Sequence, residues 1–193
     1  MGKYTDVMID LETLGTRPGS VITQIGLCAF NTDTTMLGMA TLLHVKPQSQ
    51  IDRGFLIDWD TIGWWLTQED SARAALVAGQ DHAHDIEHAL ESVHQWFAEY
   101  DLTDAKVWGH GATFDVTQLE IAFSRFSLKA PWGFRNVRDT RTLADLPAVR
   151  AVHKPVPTVA HDALEDACSQ AIWVMNMMAT LRAVSEPEPA LQP

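Results

Sequence analysis

The sequence is poor in cysteine, in basic residues and in long apolar runs, and each shortage excludes a class of protein. Its two cysteines, Cys28 and Cys168, form no CxxC pair, which argues against a disulfide-stapled secreted domain and favours a reduced, cytoplasmic setting. No apolar run is long enough for a membrane span or a cleavable signal peptide. With 14 basic against 25 acidic residues, the chain lacks the basic face that broad binding to duplex DNA requires.

The composition that is present fits one folded domain. At 193 residues and 46% hydrophobic, the chain can bury a substantial core, and we expect a domain over residues 1–184. Residues 185–193 are proline-rich and have few apolar partners, which predicts a disordered tail. The net charge of -11 remains compatible with a nucleic-acid substrate, because carboxylates that hold divalent cations lower the pI while their cations attract phosphate.

The stretch around residues 6–13 carries two acids where a buried strand would carry valines. Strand side chains alternate, so Val7, Ile9 and Leu11 face a core while Asp10 and Glu12 share the other face near the end of the strand. Two such acids either stay in solvent or share a cation, because burial raises their mutual repulsion. These residues alone leave a solvated strand end as the alternative.

The remaining pattern alternates strands and helices. Residues 21–30 and 38–45 read as strands that continue an antiparallel meander, and Lys106 to Trp108 as another strand. Helices are predicted over 60–68 with Asp60 or Thr61 as cap, over 84–100, after a Thr113 cap with Asp115 in the first turn, and over 163–182.

Two features along the chain have competing interpretations. Trp64 and Trp65 are adjacent, and burial statistics favour the core for both, whereas an indole lying over a cleft can stack on a base, with Trp65 as our candidate. His84 and His88 have a spacing that could bind zinc, but both lie opposite the apolar stripe of their helix, so a solvated face is the better interpretation.

The start of the last helix combines a cap with reactive side chains. Asp162 can cap it and Glu165 can close a capping box, which makes His161 the residue before the cap and Asp166 the fourth helical residue. In many helices these two positions hold hydrophobic side chains that pack together, an arrangement called the hydrophobic staple. Here the same two positions would bring together an imidazole and a carboxylate. A chance histidine beside an ordinary cap is the alternative.

Together these elements predict a cation site. Asp10, Glu12, Asp115 and Asp166 supply only oxygen ligands, which select Mg²⁺ or Mn²⁺ over zinc. Two such ions can activate a water and neutralise the departing oxygen in phosphodiester hydrolysis, while a neutral histidine takes the water's proton.

The sequence resembles the DnaQ-like, DEDDh-type 3'-5' exonucleases. The resemblance rests on residues 10–12 (DLE), 114–115 (FD) and 161–167 (HDALEDA), in that order. Residues 64–68 (WWLTQ), 108–115 (WGHGATFD) and 138–142 (RDTRT) are similar to the branch with phage DexA exonucleases and a mycobacterial exoribonuclease. The resemblance implies an α/β, ribonuclease H-like fold, a five-stranded mixed sheet with helices on both faces.

It also implies roles for individual residues. Asp10, Glu12, Asp115 and Asp166 would hold two Mg²⁺ or Mn²⁺ ions, and His161 would be the general base. Substrate would contact the backbone near Thr13 and Leu14, and we add Trp65 and His110 as our own candidates for substrate binding. Two positions depart from the branch, since His110 and Asp162 stand where asparagine is frequent, but neither departure removes a ligand.

The function predicted from these features is hydrolysis of single-stranded DNA or RNA, or 3' overhangs, from the 3' end to nucleoside 5'-monophosphates. The alternatives are a nuclease-derived module that binds nucleic acid or another partner without cleaving, and a zinc hydrolase built on His84 and His88. No membrane partner is expected. The sequence does not fix the oligomeric state, and a homodimer is compatible with it.

Overall fold

A computed structural model describes residues 4–185 as an α/β fold built on one mixed sheet. The predicted tail at 185–193 lies outside the described residues, except for Ser185, which ends the last helix. The strands are β1 (Asp6–Thr13), β2 (Ile22–Asn31), β3 (Met36–His44), β4 (Lys106–Gly109) and β5 (Val137–Asp139). Their order is β3-β2-β1-β4-β5, with β1, β2 and β3 antiparallel and β1, β4 and β5 parallel. The predicted meander is confirmed, and β1 is the central strand.

Helices cover both faces of this sheet, as predicted. They are α1 (Pro47–Ile51), α2 (Trp59–Leu66), α3 (Asp70–Val77), α4 (Ile86–Glu99), α5 (Asp115–Arg125), α6 (Thr140–Ala144) and α7 (Ala163–Ser185). Apolar side chains of α4 and α5 pack on one face, and those of α7 pack on the other. The short helices α1 and α3 were not predicted, and Pro47 is the first residue of α1.

The alternation of β1 divides its side chains between these two layers. Val7, Ile9 and Leu11 lie in the core with α4 and α5, and each such burial contributes about 1.5–3 kcal/mol relative to exposure. Met8 faces α7 instead. Asp10 and Glu12 continue the Met8 face of the strand, so they point toward the end of the sheet where α7 begins.

A glycine in β2 lets α7 start close to these acids. Gly26 pairs with Asp10 in the β1–β2 register, and a Cβ at Gly26 would lie 2.0 Å from the backbone oxygen of Ala163. Beside it, buried Gln24 accepts a hydrogen bond from the Ala163 N–H at 3.1 Å and donates one to the Ala75 carbonyl at 2.7 Å. The first turn of α7 is therefore fixed against the strand next to Asp10 and Glu12.

Substituting this glycine should displace the start of α7. We expect Gly26→Ala to lower the free energy of unfolding by about 1–3 kcal/mol, because backbone, and not a flexible side chain, blocks the added methyl. Gly63→Ala is the matched control: nothing lies within 4 Å of a Cβ there, and alanine favours its helix by about 1 kcal/mol. Chemical denaturation of both variants measures the difference, and equal stability of the two would contradict the packing.

Two helix starts differ from the predictions. The N-cap of α2 is Asp58, not Asp60 or Thr61, and its carboxylate pairs with Arg17 instead of capping the helix. The residue before α5 is Phe114, not Thr113, although Asp115 does lie in the first turn. Side-chain capping was the basis of both predictions, and neither helix has a side-chain cap.

Candidate active site

The acids predicted from the sequence lie close together at one end of the sheet. Asp10 is half-buried and Glu12 is 7% exposed at the end of β1, and Asp115 is 4% exposed at the start of α5. A carboxylate oxygen of Asp115 accepts a hydrogen bond from the Leu11 N–H at 3.3 Å, which ties α5 to β1 between the two strand acids. Asp10, Glu12, Asp115 and Asp166 line a cavity of about 380 Å³, which we call the acidic cavity.

The first turn of α7 brings the fourth acid and the histidine to this cavity. Asp162 caps the helix by accepting from the N–H groups of Leu164 and Glu165, both at 3.1 Å. The predicted capping box is incomplete, because Glu165 accepts from the Thr158 N–H instead. Asp166 Oδ2 accepts from the backbone N–H of His161 at 3.0 Å. A ring nitrogen of His161 also lies within 4.8 Å of a carboxylate oxygen of Asp166, so the imidazole and the carboxylate are side by side, as predicted.

His161 is held in a strained backbone conformation. Its φ of 62° is in the left-handed region, which costs most residues other than glycine about 1–2 kcal/mol. Its ring lies 4.8 Å from the Trp64 ring in an edge contact. Within residues 4–185, Glu12, His161 and Asp166 form the group whose ligand atoms, all within 4.8 Å of one another, could hold an ion. Backbone strain that aims a side chain at a cluster of acids is typical of functional sites.

Crowding and burial shift the pKa values of these acids. Burial, followed by repulsion from Asp166 and Asp115, raises the pKa of Glu12 to about 8. Burial raises the pKa of Asp115 to about 7, although backbone N–H groups and Arg141 oppose the shift. Burial and then the charges of Asp115, Glu12 and Asp166 raise the pKa of Asp10 well above its usual range. The cluster therefore resists being fully ionised unless a cation compensates it.

These shifts predict how stability depends on pH. Between about pH 5 and 8 the folded state binds more protons than the unfolded state at Glu12 and Asp115, so the free energy of unfolding of the metal-free protein should fall as pH rises. His110 acts in the opposite direction, because burial and then Arg141 and Lys154 lower its pKa. Excess Mg²⁺ should restore stability most at pH 8.

Thermal melts across this pH range, with and without Mg²⁺, measure the effect. Glu12→Gln should flatten the pH dependence, because the amide does not titrate in this range. A metal-free melting temperature that rises from pH 5 to 8, or that Mg²⁺ leaves unchanged, would contradict the description of the cluster.

Three further side chains line the acidic cavity and were not predicted from the sequence. Gln170, 2% exposed, donates to Asp10 Oδ1 at 2.7 Å, and its own side-chain oxygen is buried without a partner. Lys154 Nζ lies 3.0 Å from Asp166 Oδ1, and Arg141 lines the same cavity. Gln170 could have been found from its position one turn after Asp166, whereas Lys154 lies in an irregular segment with no periodic signal.

The tryptophans divide their roles differently from the prediction. Trp65 is 3% exposed, and its indole N–H donates to the Thr13 carbonyl at 2.9 Å, whereas Trp64 is 44% exposed. The preference for two core tryptophans is wrong for Trp64, and the indole with a free surface is Trp64, not Trp65. Both line a second cavity of about 430 Å³, the apolar cavity, together with Leu11, Glu12, Thr13 and Phe114.

Of the other three predicted substrate contacts, two line a cavity and one packs on the core. Thr13 lines the apolar cavity, but Leu14 packs on the core, and its N–H and carbonyl bond Val21 and Asp58. His110 lines the acidic cavity, with Nδ1 2.8 Å from the hydroxyl of buried Thr140.

The histidines of the zinc hypothesis lie away from these cavities. His84 and His88 are exposed, and neither belongs to a group of three potential ligands in the described chain. The structure gives the zinc hydrolase hypothesis no support.

The fold is that of the DEDDh exonucleases. The nuclease domain of 3'hExo, a DEDDh family member bound to rAMP, matches with a TM-score of 0.60 at 17% identity, over 91% of this chain and 92% of that one. A 3'-exonuclease that recognises the histone mRNA stem-loop matches with a TM-score of 0.62 at 14% identity, over 93% and 84%. A zinc-bound E. coli ExoI–ssDNA complex gives 0.64 at 14%, over 95% of this chain but 41% of that one.

The sequence itself identifies the family. Residues 5–178 match the profile of the 3'-5' exoribonuclease Rv2179c-like domain, and the chain belongs to this family. The predicted resemblance to 3'-5' exonucleases is confirmed by this family, the solved structures confirm the predicted fold, and the finer relationship to phage DexA exonucleases stays a prediction. No curated protein matches the sequence. Of the helices in residues 4–185, none has the length and apolar character needed to cross a bilayer.

Proposed function

We propose that this chain is an exonuclease that uses two Mg²⁺ or Mn²⁺ ions to hydrolyse single-stranded nucleic acid or 3' overhangs from a free 3' end. The products are nucleoside 5'-monophosphates. The observation that carries this proposal is the convergence of Asp10, Glu12, Asp115 and Asp166 from three separate elements on one cavity, with His161 at its edge. Chance surface acids would not be buried together at the cost of raised pKa values.

The side chains of the acidic cavity fit a divalent cation. The four acids offer only oxygen donors, which suit Mg²⁺ and Mn²⁺. The ammonium of Lys154 already lies on Asp166, and the buried oxygen of Gln170 lacks a partner, so the cavity attracts positive charge. Asp10, Glu12, Asp115 and Asp166 would hold the ions. When bound, the ions would supply charge neutralisation of the phosphate and a more acidic attacking water.

The protein's own groups position the reactants and move the proton. His161, next to Asp166 and Glu12, would take the proton of the attacking water on its ring nitrogen. Gln170 would keep Asp10 oriented through its hydrogen bond. The terminal nucleotide would occupy the apolar cavity, where Trp64 offers an exposed ring for stacking on a base. Attack at phosphorus with departure of the 3' oxygen leaves the phosphate on the 5' side of the released nucleotide.

The preferred substrate follows from charge and from the family. The chain has little positive charge with which to hold or open a duplex, so a single-stranded end should enter more easily. The family description names an exoribonuclease, which favours RNA over DNA. RNA is therefore the strand that we expect to be degraded faster.

A time course on matched RNA and DNA oligonucleotides, labelled at either end, tests the proposal. With Mg²⁺ or Mn²⁺, 5'-labelled strands should shorten by one nucleotide at a time, and 3'-labelled strands should release the labelled 5'-monophosphate first. A 3'-terminal phosphate should slow the reaction strongly. Rapid cleavage of circular single strands, or release of 3'-monophosphates, would contradict the mechanism. Binding without any cleavage would favour the non-cleaving module instead.

A further inference from the structure

The acidic cavity has a basic side that the proposed chemistry does not use. Its described lining residues include the basic side chains of Arg141 and Lys154, whose charges, after burial, lower the pKa of His110 in the same cavity. The chain has 14 basic residues against 25 acidic ones, so two basic side chains at the same cavity are not expected by chance. We call this pair the basic wall.

Lys154 is held in place by contacts on both sides of it. The carbonyl of Val152 accepts a hydrogen bond from the Trp173 indole at 2.6 Å, and the carbonyl of Pro155 accepts one from the Ser169 hydroxyl at 2.5 Å. Both donors belong to α7, so an irregular segment is tied to the helix that carries Asp166. The ammonium therefore reaches the cavity from a supported backbone, which argues against a chance surface contact.

Arg141 is supported in a comparable way. A Cβ at Gly111 would lie 3.4 Å from the Arg141 guanidinium carbon, so the side chain lies over the glycine turn that leads to α5. Asp139 joins that turn to α6, because its carboxylate accepts from the Ala112 N–H at 2.7 Å and from the Thr142 N–H at 2.8 Å. Arg141 and the turn before Asp115 are thus fixed relative to each other.

The two cavities set the path of a bound strand. Leu11, Glu12, Trp64 and Phe114 line both of them, so they form the boundary between the apolar and the acidic cavity. If the terminal nucleotide occupies the apolar cavity, as proposed above, its phosphate would lie at this boundary. The strand would then continue through the acidic cavity, where the next phosphate would meet the basic wall. A divalent cation at Asp166 would compete with the ammonium for that carboxylate, which frees Lys154 for another anion.

We propose that Arg141 and Lys154 bind the second phosphodiester from the 3' end, the one adjacent to the linkage that is cleaved. This inference rests on the proposed function for the direction of the strand. It makes the basic wall a positioning site and predicts that a dinucleotide, which lacks this second linkage, is a poorer substrate than a trinucleotide.

The test combines a protein change with a substrate change at the same contact. The substrates are single-stranded oligonucleotides with a neutral methylphosphonate at the second or, as a control, the fifth linkage from the 3' end. The variants are Lys154→Met, Lys154→Arg and the control Lys129→Met, an exposed lysine beyond the far end of α5. Release of the first nucleotide gives kcat/KM, and anisotropy with Ca²⁺ in place of Mg²⁺ gives binding.

We expect Lys154→Met to lower kcat/KM by about 10- to 100-fold on the unmodified strand, as for a lost charge-assisted hydrogen bond. Neutralising the second linkage should lower kcat/KM of the wild type by a similar factor. It should lower kcat/KM of Lys154→Met little further, because the contact is already lost. The slope of log binding against log salt should become shallower by about 0.7 in Lys154→Met. Lys154→Arg should restore most of both losses, and Lys129→Met should match the wild type.

The outcomes separate this inference from the proposed function. The opposite result is that the effects of Lys154→Met and of the second-linkage methylphosphonate on cleavage and on binding are additive. Additive effects would show that Lys154 does not contact this linkage, even if the enzyme is an active 3' exonuclease. If the wild type cleaves no strand but binding shows the same non-additivity, the proposed function fails and the phosphate contact stands. An unchanged salt slope in Lys154→Met would also overturn it.

Discussion

Asp10→Asn is expected to abolish cleavage, with kcat reduced by orders of magnitude, and at the same time to stabilise the metal-free protein. Activity is lost because Asp10 is one of the four carboxylates proposed to hold the ions, and an amide carries no charge to bind them. Stability rises near pH 8 because the substitution removes a carboxyl whose pKa is held well above its usual range by desolvation and by three neighbouring acids. An amide oxygen can still accept the hydrogen bond from Gln170.

The two readouts together distinguish a functional acid from a structural one. Single-turnover assays measure the rate, and thermal melts with EDTA measure stability. Asp81→Asn is the control, because Asp81 is exposed and lines neither cavity. It should leave both the rate and the stability unchanged. Wild-type turnover in Asp10→Asn would show that the site is wrongly placed, and a lower metal-free melting temperature would contradict the repulsion within the cluster.

His161→Gly should reduce the rate by about 10²- to 10⁴-fold, the usual contribution of a general base, while metal binding is retained. Glycine is the chosen replacement because the φ of 62° suits it and the missing ring leaves space beside Trp64. Added imidazole should enter that space and restore part of the rate. His161→Asn, which also tolerates this φ, should be as slow but should not be rescued.

The same variants decide whether His161 is a base or a ligand. Its ring nitrogen lies in the group with Glu12 and Asp166 that could hold an ion, so geometry alone allows both roles. The increase in melting temperature on adding Mg²⁺ should be the same in His161→Gly and in wild type. Loss of that increase, together with no rescue by imidazole, would make His161 a ligand and the DEDDh-type mechanism wrong for this chain. His88→Ala serves as the control histidine.

Local chemistry explains which parts of the site could be predicted from the sequence. The alternation of β1 assigns Asp10 and Glu12 to one face, and the cap at Asp162 places His161 beside Asp166 within one turn of helix. Both inferences depend only on neighbouring residues. The order of the three motifs then indicated the fold through its resemblance to a known family, whereas no single element determines that fold.

Long-range packing determines what could not be predicted. Neighbouring helical residues point about 100° apart, so Trp64 and Trp65 cannot both face the core. Which of them is buried depends on a distant contact, the hydrogen bond from the Trp65 indole N–H to the Thr13 carbonyl. Lys154 follows no periodic pattern, and its place is set by hydrogen bonds that α7 donates to the irregular segment around it. The approach of α7 depends on a glycine in β2 that reads locally as an ordinary strand residue.

The most direct test of the central claim is to locate the cations in crystals of the protein grown with Mn²⁺ and a nucleoside 5'-monophosphate. We expect anomalous scattering from manganese in the acidic cavity, among the carboxylates of Asp10, Glu12, Asp115 and Asp166. The nucleotide should lie in the apolar cavity with its phosphate toward the manganese. Manganese bound elsewhere under saturating conditions, with none at Asp10, would contradict the assignment of the active site.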